Sequence, residues 1–470
     1  MTLRKELGPV VAGMLRLALP LALTELGWMA MGIVDTIMAG RLNATAVGAG
    51  SLGNMLFYPI AICGTGLLLG MDTLVSQAFG ANQLRDCRRS LVNGVWLSMG
   101  ITPPLMAVLL GLIPAVRAAG TNPSVFAQLT PFLTVLTWSV APLLCTAALR
   151  RYLQAVGVAN SILFAMISSN VLNALGDWAL MFGHWGAPRM GLEGSAWSTT
   201  ISRVYMMLVL AAAVLWHERK SGNLLFRVSW LPDLERIRTL IALGLPAAAQ
   251  IFFEGAVFGL VTVWAARLDE ASLAAHSIAV QVIATTFMVP LGISSAAAVR
   301  VGQAIGRNHP RGARTAGWAA LLLSTIFMGS AALAISIAPR FIVRLFIADP
   351  AVVASGAILL RIAALFELFD GFQIVATGAL RGLGDTRQPM VAHLLGYWAV
   401  GVPVAYVLCF PLHWGATGIW VGLTAALILI GTALVAVWWR RAATLPGATV
   451  AANAGQLDSS TPSSSSEPPC

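Results

Sequence analysis

The stretch SQAFGAN at residues 76–82 returns as GQAIGRN at residues 302–308, 226 positions further along the chain. At the same offset LALPLAL at 17–23 lies over LGLPAAA at 243–249, with the proline in register. Chance similarity between apolar helices does not explain matches at Gly, Gln, Asn and Pro at a constant offset. The sequence therefore predicts two halves that contain the same elements in the same order.

Composition indicates that most of the chain lies in lipid. Of the 470 residues, 58% are apolar and only 10% are charged, whereas soluble domains have about 25% charged residues. A span needs about 20 apolar residues, and twelve segments qualify: 14–39, 46–78, 91–116, 127–149, 160–183, 192–216, 239–265, 272–299, 315–338, 351–379, 389–411 and 415–438. We expect an all-α polytopic membrane protein with twelve transmembrane helices.

The repeat and the hydropathy together divide the chain. We predict an N-lobe at 1–216 with helices 1–6, a cytoplasmic linker at 217–238, a C-lobe at 239–440 with helices 7–12, and a disordered cytoplasmic tail at 441–470 that is rich in Ser and Pro. Because six is an even number of spans, both lobes enter the membrane from the same side. The two lobes are then parallel repeats about an axis along the membrane normal.

Basic residues predict the orientation. Twenty-one of the 29 Lys and Arg residues fall at the N-terminus, in alternate loops or in the C-terminal stretch on one side, and six fall on the other side. Such an excess marks the cytoplasmic side, so both termini are expected in the cytoplasm and the protein in the inner membrane. The net charge of +10 is explained by this bias, and no nucleic-acid partner is expected.

Several chemistries find no support in the sequence. The two lysines, Lys5 and Lys220, do not belong to a GxxxxGK[ST] loop, which an ATP-driven pump requires. The five cysteines form no CxxC pair and stand at no ligand spacing with histidine, so neither a disulfide framework nor a zinc site is indicated. We expect no ATP, no cofactor and no enzymatic activity, which leaves an ion gradient as the energy source.

Ionisable residues inside spans are the candidate functional residues. A charged side chain at a helix centre costs about 2.5–3.5 kcal/mol on insertion scales, so such groups usually face the interior of the bundle. The candidates are Asp35, Asp177 with Asn173 one turn earlier, Glu254, Asp370 and Glu367. A buried carboxyl can carry a proton, and an ionised one with amide and hydroxyl oxygens can hold Na⁺ or attract an organic cation.

Methionine and aromatic residues accompany these acids and favour an adaptable pocket for lipophilic cations. For the substrate cavity we name Met31, Met38, Phe253, Phe366 and Glu367.

The first helix of each half also contains a proline. Pro20 and Pro246 are predicted to be bend points in these helices.

The chain resembles the multidrug and toxic compound extrusion (MATE) family, and within it the bacterial NorM-like branch. The motifs that carry the resemblance cover most of residues 10–440: the LALP opening, VDTIMAGRL, GMDTLVSQAFGANQ with its echo VGQAIGRNHPRGAR, GLEGSAW and ALRGLGDTRQPM. The resemblance implies a two-lobed antiporter with a central cavity that exports organic cations in exchange for Na⁺ or H⁺.

Carried over residue by residue, the resemblance implies two coupling sites. The N-lobe site would use Asp35, Asn173, Asp177 and Thr199, and the C-lobe site would use Glu254 and Asp370. Some family members have a tyrosine one turn before the acid of span 10. The corresponding Phe366 offers no oxygen here, so the N-lobe set is the more complete site for Na⁺.

We therefore expect a monomeric secondary antiporter in the lipid bilayer that exports organic, mostly cationic, compounds by alternating access. The alternatives are a flippase for lipid-linked oligosaccharides, which spans richer in acids than in Arg disfavour, and a membrane-embedded enzyme. The sequence leaves open the coupling ion, the physiological substrate, whether one or both lobes bind cations, and the role of Cys470 and its tail.

Overall fold

The computed structural model of the protein describes residues 2–220 and 228–445, with side chains from Gly8 onward. These residues form twelve long helices and contain no strand: α1 Thr2–Gly40, α2 Ala44–Gly80, α3 Leu84–Ala118, α4 Pro123–Ala155, α5 Ala159–Phe182, α6 Leu192–Lys220, α7 Leu234–Ala266, α8 Glu270–Gly306, α9 Pro310–Ile337, α10 Pro350–Leu383, α11 Arg387–Cys409 and α12 Gly415–Ala443. A six-residue helix, Pro339–Arg344, precedes α10. The all-helical prediction is confirmed.

Eleven of the described helices are long and apolar enough to cross a membrane, and α5 is the exception. It is 24 residues long, but Ser168, Ser169, Asn170, Asn173 and Asp177 lower its hydropathy. The one helix of the twelve that falls short of this criterion is therefore the one that carries two of the predicted site residues.

Three of the predicted spans are interrupted. α2 breaks at Leu68 and Leu69, and α4 breaks at Ser139. In α11 the backbone forms a π-helical turn over Leu394–Gly401, immediately before a segment with proline in its first turn, Pro403. Proline has no backbone N–H to donate, and π-helical turns are common where a helix ladder is locally disturbed.

Pro20 and Pro246 lie inside α1 and α7, and each helix continues past its proline. Their role as bend points stays a prediction.

The sequence repeat has a counterpart in the backbone. The side-chain oxygens of Asn43 and Asp269 cap α2 and α8, and each accepts an N–H from three residues further on at 2.7 Å. Asn82 and Asn308 both adopt left-handed φ angles, 58° and 53°, a conformation that asparagine tolerates better than most residues. We call α1–α6 the N-half and α7–α12 the C-half.

The two halves meet where α2 and α8 end. A Cβ atom on Gly80 would lie 2.1 Å from the backbone oxygen of Gln303, and one on Gly306 would lie 2.0 Å from the backbone oxygen of Gln77. The backbones approach so closely that only glycine fits at both positions. We call this end of the bundle the terminal face, because the first turns of α1 and the end of α12 lie on it.

Hydrogen bonds reinforce the contact at the terminal face. Gln77 Nε2 donates to the carbonyl oxygen of Gly382 in the C-half at 2.9 Å. Gln303 Nε2 donates to that of Ala155 in the N-half at 2.8 Å. The same residue of each repeat thus binds the backbone of the opposite half.

An ion-pair cluster centred on Asp72 also joins the halves. The Asp72 carboxylate is buried and lies 3.2 Å from Arg151 of the N-half and 3.3 Å from Arg381 of the C-half. A second buried pair, Arg150 with Glu25, lies within the N-half. Asp72 is therefore a shared partner for one arginine from each half.

The predicted linker boundaries differ from the helix ends, since α6 runs to Lys220 and α7 begins at Leu234. Residues 228–233 dock on α3: Trp96 Nε1 donates to the Trp230 carbonyl oxygen at 2.8 Å, and the Asp233 N–H donates to Asn93 Oδ1 at 2.7 Å. The first three residues of the predicted tail, up to Ala443, continue α12. The rest of the predicted disordered tail from residue 446, with Cys470, lies outside the described residues.

Candidate functional site

The predicted N-half residues converge on one point. Asp35 of α1 interacts with Asp177 and Asn173 of α5, and Thr199 Oγ1 of α6 lies 3.5 Å from Asp35 Oδ2. Asn173 and Asp177 are fully buried, whereas Asp35 is partly exposed. The four residues named from the sequence and the resemblance therefore form a single cluster, although its function is still a prediction.

This N-half cluster contains more acceptor atoms than donors. Asp35 Oδ1, Asn173 Oδ1 and both carboxylate oxygens of Asp177 are buried without a hydrogen-bond partner. One neighbouring hydroxyl, Ser198 Oγ, accepts from Asn173 Nδ2 at 3.3 Å and donates to the Asn173 carbonyl oxygen at 2.7 Å. Buried polar atoms are normally paired, and two facing carboxylates cannot both be ionised at low cost. The cluster therefore needs a proton or a small cation.

Arg203 of α6 lies beside the cluster, within Coulombic range of Asp35. It is buried, donates to Ser139 Oγ, and holds its guanidinium carbon 4.9 Å from the centre of the Phe57 ring. No role for Arg203 was predicted from the sequence, although a charged residue inside a span is itself a signal. The N-half site therefore contains a fixed positive charge next to its carboxyl pair.

A cavity opens at the N-half cluster. Its polar lining includes Asp35, Asn54, Tyr58, Ser195, Thr199 and Arg203. Hydroxyl, amide and carboxylate oxygens thus face open space together. The partly exposed Asp35 thus borders an open space of a size that a water molecule or a small cation can enter.

The C-half acids also come together. Gln373 Nε2 of α10 donates to Glu254 Oε1 of α7 at 3.2 Å and to Asp370 Oδ1 of α10 at 3.1 Å. Tyr397, on the π-helical turn of α11, places its hydroxyl 3.5 Å from Glu254 Oε1. The two predicted acids are therefore joined by an amide and accompanied by a phenol.

His393 lies behind this amide. Its Nδ1 lies 2.8 Å from the Pro389 carbonyl oxygen and its Nε2 contacts Gln373 Oε1, and a neutral imidazole can donate to only one of these two acceptors. Gln250 Nε2 lies 3.3 Å from the same His393 Nε2. Gln373, His393 and Tyr397 were not identified from the sequence, because uncharged polar residues in a span are common.

The predicted cavity residues have different surroundings. Phe366 is fully buried and stacks on Trp420 at 5.9 Å between ring centroids, so it does not face open space in this conformation. Glu367 is also fully buried and accepts the Thr286 hydroxyl at 3.0 Å. Met31 is buried, whereas Met38 and Phe253 are half-buried. Their contact with substrate stays a prediction.

Both clusters are acid pairs completed by amides and hydroxyls. Within residues 2–220 and 228–445, no three His, Cys, Asp or Glu side chains gather as they do around a tightly bound metal ion. The donor sets that are present, carboxylate with amide and hydroxyl oxygen, suit protons and hard cations such as Na⁺.

Acid pairs buried inside a bundle of twelve apolar helices, in two repeating halves and with a polar cavity at one pair, define an integral membrane transporter. The chain belongs to the MatE family, whose family model matches residues 20–179 and 246–407. It is therefore a multi-pass membrane transporter and not an enzyme, as the sequence predicted.

Known relatives agree with this assignment. The chain is 37% identical to the probable multidrug resistance protein NorM of Mesorhizobium japonicum, over 91% of this chain and 93% of that protein. Its fold matches the eukaryotic MATE transporter AtDTX14 with a TM-score of 0.84 at 19% identity, over 93% of this chain and 98% of that one.

A second solved structure, described as the outward-facing conformation of a multidrug resistance MATE family transporter, also matches with a TM-score of 0.84, at 18% identity over 93% and 97% of the chains. The two-lobe repeat is consistent with this fold.

Proposed function

We propose that this transporter exports organic, mostly cationic, compounds across the inner membrane in exchange for H⁺ or Na⁺. The observation that carries the proposal is the N-half cluster, where four buried acceptor oxygens of Asp35, Asn173 and Asp177 have no donor. An entering proton or cation would satisfy them, and its departure would leave the carboxyl pair unstable. Occupancy of this cluster is thus coupled to the state of the surrounding helices.

The substrate class rests on the relatives and on the cavity. One relative, which is similar to this chain over most of the length of both proteins, is named a probable multidrug resistance protein. The cavity at Asp35 offers carboxylate, hydroxyl and aromatic groups. A carboxylate beside an aromatic ring attracts a lipophilic cation. The same acids therefore serve either the coupling ion or the substrate, which makes the two competitors for one site.

The proposed topology places the terminal face in the cytoplasm, with both termini, because most basic residues lie on that side. Contacts at Gly80, Gly306 and Asp72 close this face. The conformation is then the one closed towards the cytoplasm. Alternating access would separate the N-lobe at 1–216 from the C-lobe at 239–440 and open this face, with the transporter acting as a monomer that needs no cofactor besides the coupling ion.

Efflux measurements test the proposal. Drug-sensitive cells that express the protein should expel ethidium, and Asp35→Asn and Asp177→Asn should each reduce efflux by about tenfold or more, because removing a positioned charge typically costs at least that factor. Asp86→Asn, in the first turn of α3 and far from both clusters, is the matched control.

Collapsing the Na⁺ and H⁺ gradients separately identifies the coupling ion. Full efflux in both variants would contradict the proposal.

Arg203 is the observation that favours the alternative, transport of a lipid-linked anion, because it lines the same cavity as Asp35. The cavity carboxylate and its partner Asp177 outnumber this one guanidinium. Binding of a lipophilic cation and of a lipid-linked pyrophosphate to the purified protein separates the two functions. Tight binding of the pyrophosphate alone would favour the flippase.

A further inference from the structure

The two acid clusters differ in how their oxygens are satisfied. In the N-half, Asp35 Oδ1, Asn173 Oδ1 and both Asp177 oxygens lack donors, and Asp35 Oδ2 has only the Thr199 hydroxyl at 3.5 Å. In the C-half, one amide nitrogen, Gln373 Nε2, is within hydrogen-bond distance of Glu254 at 3.2 Å and of Asp370 at 3.1 Å. One internal donor therefore serves both carboxylates in the C-half, whereas no single donor does so in the N-half.

Gln373 is held in this orientation from several sides. It is fully buried and follows Asp370 by three residues on α10, so both side chains project from neighbouring positions on one helix face. On the opposite edge of the amide, Oε1 contacts His393 Nε2. Tyr397 supplies a further hydroxyl to Glu254 at 3.5 Å. The amide thus has a carboxylate-facing edge and a His393-facing edge.

A donor on a carboxylate competes with a cation for the same oxygens. A hydrogen bond to an ionised group is stronger than one to a neutral group, so an amide that donates to both carboxylates stabilises the ionised, cation-free pair. A proton or a cation that binds the pair neutralises these acceptors and so weakens the hydrogen bonds from the amide, even where it binds the second oxygen of each carboxylate. The stronger the amide contact, the weaker the net binding of the cation.

We propose that Gln373 is the positioning residue of the C-half pair and acts as an internal competitor for the coupling cation, which weakens cation binding at this site and speeds release from it. This inference rests on the proposed function, because it takes Glu254 and Asp370 to be occupied by the coupling ion. An uncharged residue then sets the cation affinity of the C-half pair.

Proteoliposomes that contain the full chain test this role. The variants are Gln373→Met, which keeps the length of the side chain and removes the amide, and Gln373→Glu, which replaces the donor by an acceptor. Gln250→Met is the matched control, because Gln250 is also buried and contacts His393 but touches neither carboxylate. For each protein, the half-saturating concentration of Na⁺ and of H⁺ and the maximal efflux rate are measured.

Loss of the competitor should lower the half-saturating concentration of the coupling ion by about tenfold, the value of one charge-assisted hydrogen bond, and should lower the maximal rate through slow release. Gln373→Glu should show the larger shift, and Gln250→Met should match the wild type. A purely structural role would lower the rate without tighter ion binding.

If an ion gradient drives efflux by the wild type, but the half-saturating concentration is unchanged or raised in both Gln373 variants, the role of Gln373 is overturned and the proposed function remains intact. A wild type that neither gradient drives overturns both.

Discussion

Arg203 gives the N-half site a property that the acids alone do not have. The guanidinium is buried, is oriented by Ser139 and the Phe57 ring, and lies within Coulombic range of Asp35. A fixed cation near a carboxylate reduces the attraction that the carboxylate exerts on a mobile cation. Arg203 therefore moderates the affinity of the N-half site.

Replacing Arg203 by Met should tighten the binding of a lipophilic cation to the purified protein by about tenfold, on the scale of one partly screened charge pair at an effective dielectric near 20. Arg203→Lys keeps the charge and should bind as the wild type does. Calorimetry with tetraphenylphosphonium measures both. Weaker binding in Arg203→Met than in Arg203→Lys would show that Arg203 supports the site by packing and not by charge.

At the scale of single residues, the sequence predicted the charged members of both clusters better than the uncharged ones. Asp35, Asp177, Glu254 and Asp370 stand out because a charge inside a span is costly. Gln373 carries no charge, and its contacts depend on the rotation of α7, α10 and α11 about their axes. That rotation is set by packing, which hydropathy does not report.

At the scale of elements, the caps of α2 and α8 form a matched pair. Asn43 and Asp269 occupy the same position of the repeat and make the same 2.7 Å hydrogen bond to a backbone N–H, but only Asp269 can ionise. Hydrogen bonds from the Ser272 hydroxyl and backbone N–H lower the pKa of Asp269 below its ordinary value of 3.8. Its contribution to stability is thus present above pH 3.8 and is lost as the pH falls through the lowered pKa.

Removing either cap with alanine should cost about 1 kcal/mol at neutral pH. For Asp269→Ala this cost should begin to shrink below about pH 4 and should vanish as the pH falls through the lowered pKa, where the wild-type carboxylate becomes protonated. For Asn43→Ala the cost should not change with pH. Thermal unfolding in detergent at neutral and at acidic pH measures both variants. An equal pH dependence in the two would contradict the assignment.

The interruptions of α2, α4 and α11 were not predicted, although the twelve apolar segments were. Hydropathy indicates which segments prefer lipid. It is an average over a window of residues and does not show where the backbone hydrogen bonds of a helix are interrupted. Pro403 was a visible signal for a disturbance in α11. The break at Ser139 had a comparable signal in Pro142, which cannot donate to the Trp138 carbonyl oxygen, and the break at Leu68 lies between Gly66 and Gly70.

At the scale of the whole molecule, Asp72 links the halves in a way that the repeat does not duplicate. It binds Arg151 of one half and Arg381 of the other, and the equivalent position in the second half is Ala298. Without the carboxylate, two arginines would face each other at the terminal face. Asp72 therefore stabilises the closed conformation from one half only.

Asp72→Asn should shift the population towards a conformation open at the terminal face, because removing one partner of a buried ion pair costs about 3–5 kcal/mol. Spin labels at Arg85 and Arg311, on exposed positions of α3 and α9, should report a longer distance. Glu25→Gln is the control, since it breaks the buried pair with Arg150 inside the N-half and leaves the contact between the halves intact. An unchanged distance in Asp72→Asn would exclude this role.

The overall architecture followed from the sequence because the repeat and the hydropathy are both long-range patterns. The helix count and the two halves were predicted in this way, and the family was predicted from its sequence motifs. The asymmetry at Asp72 and the different hydrogen bonding of the two acid clusters were not predicted, because the repeat implies that the two halves are equivalent. Differences between the halves arise from single side chains that the alignment of the repeats leaves unmatched.

The reciprocal contacts of α2 and α8 define the symmetry of the interface between the halves. Gly80 meets Gln303 while Gly306 meets Gln77, and Gly66 meets Ala248 while Gly292 meets Ala22. In each pair, the two contacts join equivalent residues that are 226 positions apart. A six-helix subunit with a single copy of these residues would make both contacts with a second copy of itself. The interface between the halves therefore has the self-complementary, two-fold form of a symmetric homodimer interface within one polypeptide.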